Sequence, residues 1–130
     1  MLAHLNETLL RSLPDSGPVV MLNLVRFRET SLDGDGSGWE AYQRYSRLTM
    51  KLIKARGGTV LWAGDAEGVS FGEMADRPFD YVVLVQYPSR AAFLDMMTSD
   101  AYAQANIHRE NGVADHVILA TRQTYSKLSA

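Results

Sequence analysis

The chain has no cysteine. That absence removes disulfide frameworks, thiolate zinc sites, iron–sulfur clusters and cysteine nucleophiles together. Lysine is scarce as well. Ten of the thirteen basic residues are arginine, which favours planar, bidentate pairing over simple solvation. There is no long hydrophobic run: the longest, Val19 to Val25, is interrupted by Asn23 and is far too short to span a bilayer. Glu7, Arg11 and Asp15 break up any apolar stretch of the signal-peptide kind near the start. Nor is there an excess of one charge. A net −2 and a pI of 5.9 give no general attraction to nucleic acid or to an anionic membrane, so neither is expected as a partner. What remains is 46% hydrophobic and 22% charged, the balance of a packed domain. A chain of 130 residues buries about two-thirds of its unfolded surface and needs neither metal nor disulfide to stay folded. A cytoplasmic location is expected.

Hydrophobic spacing organises the chain. His4 to Leu13 carries Leu5, Leu9, Leu10 and Leu13 at helical intervals, and Pro14 with Gly17-Pro18 ends it. Residues 1–17 thus read as a helical extension to one domain over 18–130. Val19 to Phe27 reads as a strand apolar on both faces. Glu29 to Gly38 is a polar, glycine-rich loop, and Ser37-Gly38-Trp39-Glu40 forms a capping box. The helix it opens places Ala41, Tyr45, Leu48, Leu52 and Ala55 on one stripe and ends at Gly57-Gly58. Thr59 to Ala63 reads as a second strand, with a loose continuation through Gly72. A third strand spans Phe79 to Tyr87, which Pro88 ends and Ser89 follows as the cap of a helix burying Ala92, Phe93, Met96 and Met97. Ser99-Asp100 starts a further helical turn or two, closed by Asn111-Gly112. Val117 to Tyr125 reads as the last strand.

The order β-α-β-β-α-β is that of the ferredoxin-like split βαβ arrangement, an α+β fold with sheet order 4-1-3-2. Right-handed crossovers put both helices on one face. Strands one and three are apolar on both faces, so the other face needs a cover, and a second copy packed sheet to sheet is the simplest one.

Familiar catalytic signatures fail. Asp33-Gly34-Asp35-Gly36-Ser37-Gly38 imitates half an EF-hand loop, but Arg44 stands where the twelfth-position carboxylate belongs. There is no G-x-S-x-G elbow and no H-E-x-x-H. His4, His108 and His116 lie on different segments with no ligand spacing, so no metal is expected. The informative residues are polar groups inside apolar strands. Asn23 and Gln86 occupy the two central strands, where an unpartnered buried amide costs on the order of 1–3 kcal/mol. Either they are satisfied core amides, or they line a pocket and orient a carbonyl or stabilise an oxyanion without titrating. Period-two alternation groups Met21, Asn23 and Val25, and it groups Val82, Leu84 and Gln86. We expect both amides to face the barrel interior, away from the helices, with Val20, Leu22 and Leu24 meeting the helices instead. Trp62, Tyr102 and Arg109 complete the candidate ligand-binding set, Arg109 either meeting an anionic substrate group or pairing with a protein carboxylate such as Glu110 or Asp100 or one across the dimer. Tyr102 and Arg109 lie two helical turns apart on one face. Tyr42 is a further aromatic candidate on the first helix, and Tyr45 reads as core filling on its apolar stripe.

Taken together, Val-Val-Met-Leu-Asn-Leu-Val-Arg-Phe, the Tyr42-x-x-Tyr45 pair, Gly57-Gly58, Tyr87-Pro88-Ser89-Arg90, Ser99-x-x-Tyr102 and Arg109 resemble the DUF1330 family of the dimeric α+β barrel superfamily. The resemblance covers roughly Pro18 to Thr124. It implies the fold and homodimerisation, but no defined activity. The wider superfamily holds cofactor-free antibiotic-biosynthesis monooxygenases, haem-degrading enzymes, lactone isomerases and stress-response barrels. Haem-degrading members join a strand-one asparagine to a tryptophan and a ligating histidine. Asn23 fits, while Trp62 on strand two and His108 at the end of the second helical segment depart from that pattern, so no cofactor is expected. The resemblance leaves two functions: a cofactor-independent monooxygenase or isomerase on a small carbonyl-bearing or aromatic metabolite, or a non-catalytic ligand-binding or stress-response dimer.

Overall fold

A computed structural model describes residues 4–15 and 17–128. The elements run α1 (Glu7–Ser12), β1 (Val19–Phe27), α2 (Gly38–Ala55), β2 (Thr59–Asp65), β3 (Tyr81–Tyr87), α3 (Arg90–Met97), α4 (Asp100–Gly112) and β4 (Val113–Thr121). The four strands form one antiparallel sheet in the order β2-β3-β1-β4, the ferredoxin-like topology. Among the described residues no helix is long and apolar enough to cross a membrane.

Local chemistry sets the element ends. Ser37 Oγ accepts from the Glu40 amide at 3.1 Å while Glu40 accepts from the Ser37 amide at 3.0 Å, the reciprocal box that starts α2. Ser89 and Ser99 cap α3 and α4 in the same one-sided way, at 3.0 and 3.1 Å. Two differences from the sequence reading stand out. The final helix is 13 residues long rather than a turn or two. The last strand begins at Val113, not Val117, and ends at Thr121. Asp115 and His116 are accommodated in its first half because Arg26 pairs with Asp115 across the ladder, while His116 turns beneath the sheet toward Arg109.

Register divides the sheet into two faces, since directly paired residues share a side. On one side lie the rows Tyr87–Val19, Val85–Met21–Ala120, Val83–Asn23–Ile118 and Tyr81–Val25–His116. This is the helix-covered face. Val19, Met21, Val25, Val85 and Tyr87 are buried in one core with Tyr42, Tyr45, Ile53, Phe93, Met96, Met97 and Tyr102. On the other side lie Leu84–Leu22–Leu119 and Val82–Leu24–Val117, extended by Trp62 opposite Leu84. No element of the described chain covers that side. Trp62, Val117 and Leu119 are 47%, 37% and 48% exposed, so it is an apolar face left open to solvent.

The helices pack closely enough to require glycine at one crossing. A Cβ on Gly38 would lie 2.0 Å from the Arg28 carbonyl, and one on Gly112 would lie 2.4 Å from the Gly38 carbonyl. Only hydrogen fits where the start of α2 meets the end of α4. Phe27, Trp39, Tyr42 and Tyr81 fill the same end of the core with edge, tilted and stacked contacts of 5.1 to 6.1 Å between ring centres.

Candidate functional site

Between the sheet and the helices lies a cavity of about 480 Å³. Its floor is β1 and β4 (Met21, His116, Ile118, Ala120), and α3 and α4 give Phe93, Met97, Tyr102 and Arg109. The N-terminal segment supplies the remaining wall through His4, Leu5, Asn6, Leu9 and Leu10. Asn6 starts α1 by accepting from the Leu9 amide at 3.2 Å, and Leu10 is buried in the common core. Residues from His4 to Leu10 of the segment that the sequence marks as an extension thus help line this cavity.

One end of the cavity is polar and continuous. Arg109 Nε donates to Asn106 Oδ1 at 2.6 Å, and its Nη1 lies 3.4 Å from His116 Nδ1. An arginine can only donate, so Nδ1 is the accepting nitrogen and the proton of His116 sits on Nε2. That Nε2–H donates to Asn23 Oδ1 at 2.9 Å. Asn23 Nδ2 then donates to the carbonyls of Met21 and Val83 at 3.2 and 3.4 Å. Every step runs in one direction, from the guanidinium through a neutral imidazole to the backbone of the central strands. Burial, with the Arg109 charge adding to it, pushes the pKa of His116 from 6.5 down to about 3, so the ring stays neutral.

Two tyrosines flank this chain. The hydroxyls of Tyr45 and Tyr102 are 2.8 Å apart beneath the sheet. Burial raises both, and for Tyr102 the Tyr45 hydroxyl and the Arg109 charge pull partly back. With Tyr45 as the donor, the Tyr102 oxygen accepts beside the Arg109 cation and its own proton is left for the cavity. Both remain phenols at neutral pH. The site thus offers one fixed positive charge and a phenolic hydroxyl, backed by a neutral imidazole whose two nitrogens are already engaged, beside an aliphatic and aromatic wall.

The five candidates separate. Tyr102 and Arg109 line the cavity. Asn23 stands behind His116 and borders a narrower void of about 50 Å³ under α2. Gln86 and Trp62 project from the open face, opposite Val20 and Leu84. The expectation that Asn23 and Gln86 share a face is wrong. Alternation grouped Met21, Asn23 and Val25 correctly but assigned the group to the wrong side, because the cavity that tolerates an amide lies under the helices. His116, set aside in the sequence, is the missing link. Its partners are seven and ninety-three residues away, so no local spacing shows it. In the EF-hand-like loop Asp33 accepts from Ser31 Oγ at 2.6 Å and from the Asp35 amide at 3.0 Å, organising its own turn. Among the described residues no three His, Asp or Glu side chains come together as a metal-ligand set.

The family model for DUF1330, a domain of unknown function, matches residues 37–122. The chain belongs to the DUF1330 family. A solved protein of unknown function from Rhodopseudomonas palustris is 32% identical, with 92% of each chain covered and a TM-score of 0.81. Its coverage reaches beyond the 37–122 region that carries the DUF1330 match. More distant structures share the fold alone. SnoaB, a cofactor-independent oxygenase from Streptomyces nogalater, is 14% identical over 84% of this chain and 97% of its own, with a TM-score of 0.52. A dimeric ferredoxin-like protein of unknown function from Thermobifida fusca is 14% identical over 86% and 97%, with a TM-score of 0.53. No curated protein matches this DUF1330 sequence.

Proposed function

We propose that this DUF1330 protein is a homodimeric, cytoplasmic α+β barrel that takes a small carbonyl-bearing or aromatic metabolite in the cavity under α1. The observation that carries the reading is the convergence of Arg109, Tyr102 and His116 in a cavity of suitable size that Leu5, Leu9, Leu10, Phe93 and Met97 also line. Donors fixed by a buried network suit a carbonyl oxygen, and they bind it more tightly as negative charge develops there. That supports a cofactor-independent monooxygenase or isomerase, in line with the oxygenase fold of SnoaB. In this reading the described part of segment 1–17 is one wall of the site rather than an appendage to the domain over 18–130. The open sheet face is the dimer surface, and Gln86 and Trp62 belong to it.

A second reading has its own support. His116 is held down at about 3 and Tyr102 is raised, so neither exchanges protons near neutrality. A cavity whose network is built to stay in one protonation state suits non-catalytic binding. One experiment addresses both. A thermal-shift screen of small carbonyl metabolites should yield hits on the parent protein that weaken in Tyr102→Phe, which removes one hydroxyl and little else. Oxygen uptake and product analysis on those hits then separate enzyme from binder. Hits indifferent to Tyr102→Phe, or none at all, contradict the cavity as the site.

A further inference from the structure

We infer that the ligand of this cavity is a compact amphiphilic monoanion whose carboxylate sits on Arg109; the inference rests on the cavity being a ligand site and names the class of molecule it takes. Arg109 is a half-buried cation at the edge of an apolar space, a costly placement without a counter-charge. Five other arginines, at positions 11, 26, 44, 56 and 77, each pair with a carboxylate within 4 Å. Among the described residues no carboxylate pairs with Arg109. Its partners, Asn106 Oδ1, His116 Nδ1 and the Tyr102 hydroxyl, are all neutral. The nearby acids are committed elsewhere: Glu110 accepts from Asn106 Nδ2 at 2.9 Å, and Asp115, which also borders the cavity, is paired with Arg26.

The geometry of the guanidinium selects the anion. Nε is spent on Asn106 and one Nη1 hydrogen on His116, so one Nη1 and two Nη2 hydrogens remain at the outer end of the fork, beside the Tyr102 hydroxyl. Two parallel hydrogens at that end match the two oxygens of a carboxylate. Tyr102 stands beside them as a neutral donor. A single fixed charge matches one negative charge better than a dianion such as a phosphate monoester. The far end is lined by Leu5, Leu9, Leu10, Phe93 and Met97, which calls for an alkyl or aryl body. The buried relay behind Arg109 fixes the fork before the ligand arrives, since His116 and Asn23 hold it from one side and Asn106 from the other.

Calorimetry with matched pairs tests this: phenylacetate against phenylacetamide, and octanoate against octanamide. Each pair shares one skeleton and differs in charge. The acids should bind the parent protein at least about tenfold more tightly than their amides, the usual scale for hydrogen bonds to a charged group. Arg109→Gln should erase that preference, and Arg109→Lys, which restores the charge but not the fork, should recover part of it. Circular dichroism on each variant separates loss of binding from loss of fold, and Arg109→Lys carries the test if Arg109→Gln does not fold. Equal binding of acid and amide overturns the monoanion while leaving the cavity a ligand site. An acid preference that survives in Arg109→Gln moves the carboxylate elsewhere and overturns the assignment. Failure of all four probes on the parent protein counts against both the anion and the cavity as a site.

Discussion

Replacing His116 with glutamine isolates one contribution to the acid sensitivity of the fold. In the folded protein, burial and then the Arg109 charge hold this histidine down at about 3, against 6.5 in an unrestrained chain. Between those values the unfolded state binds a proton that the folded state refuses. The contribution is therefore fully present above about pH 6.5 and is lost as the pH falls toward 3. The slope in that window approaches about 1.4 kcal/mol per pH unit, so up to about 2 kcal/mol is gone by about pH 5 relative to about pH 8. With a urea dependence of about 2 kcal/mol per molar, that moves the midpoint by about 1 M. Glutamine presents an amide N–H near the position of Nε2–H, so Asn23 keeps a donor, and glutamine does not titrate. Urea denaturation of both chains at about pH 8 and about pH 5 gives the comparison, with carboxylate contributions common to the two. The parent should lose more stability than the variant by up to about 2 kcal/mol. Identical losses would refute the neutral, buried imidazole and the hydrogen-bond directions built on it.

Three further outcomes follow from particular contacts. Gly38→Ala should cost about 3 kcal/mol or prevent folding, because the new methyl meets the Arg28 carbonyl at 2.0 Å and backbone cannot move aside cheaply; urea denaturation reads it, and a neutral result contradicts the close crossing of α2 and α4. Leu119→Asp places a charge in the middle of the open apolar face, and sedimentation should find the parent at twice its 14.4 kDa chain mass and the variant at one chain. A dimer that survives the aspartate would put the interface elsewhere. Calcium at millimolar concentration should give no saturable heat, since Asp33 is already engaged by Ser31 and the Asp35 amide.

What the sequence shows and what it hides divide along physical lines. The ends of β1 and the start of α2 are legible because they are local: an uninterrupted β-branched run, and a serine with glutamate three residues on. Topology followed from element order alone. The start of β4 was hidden because Asp115 and His116 look like loop residues until Arg26 and Arg109, on other elements, are placed beside them. The face of Asn23 was hidden for a related reason. β1 is apolar on both sides, so alternation defines two sets without saying which one meets the helices. Asn23 lies on the helix side, behind His116 and beside the narrow void under α2. Tyr102 and Arg109 were legible as a pair because helical spacing places them on one face. The relay that links them to Asn23 depends on long-range contacts, and no motif encodes it.

The most direct test of the account is a crystal structure with a bound hit from the acid panel. The account predicts ligand density between α1 and β4 on the helix side of the sheet. The carboxylate should lie within hydrogen-bonding distance of Arg109 and Tyr102, with the body against Leu9, Leu10 and Phe93. Density on the open face beside Gln86 and Trp62, with the cavity under α1 filled by rearranged side chains, would contradict it.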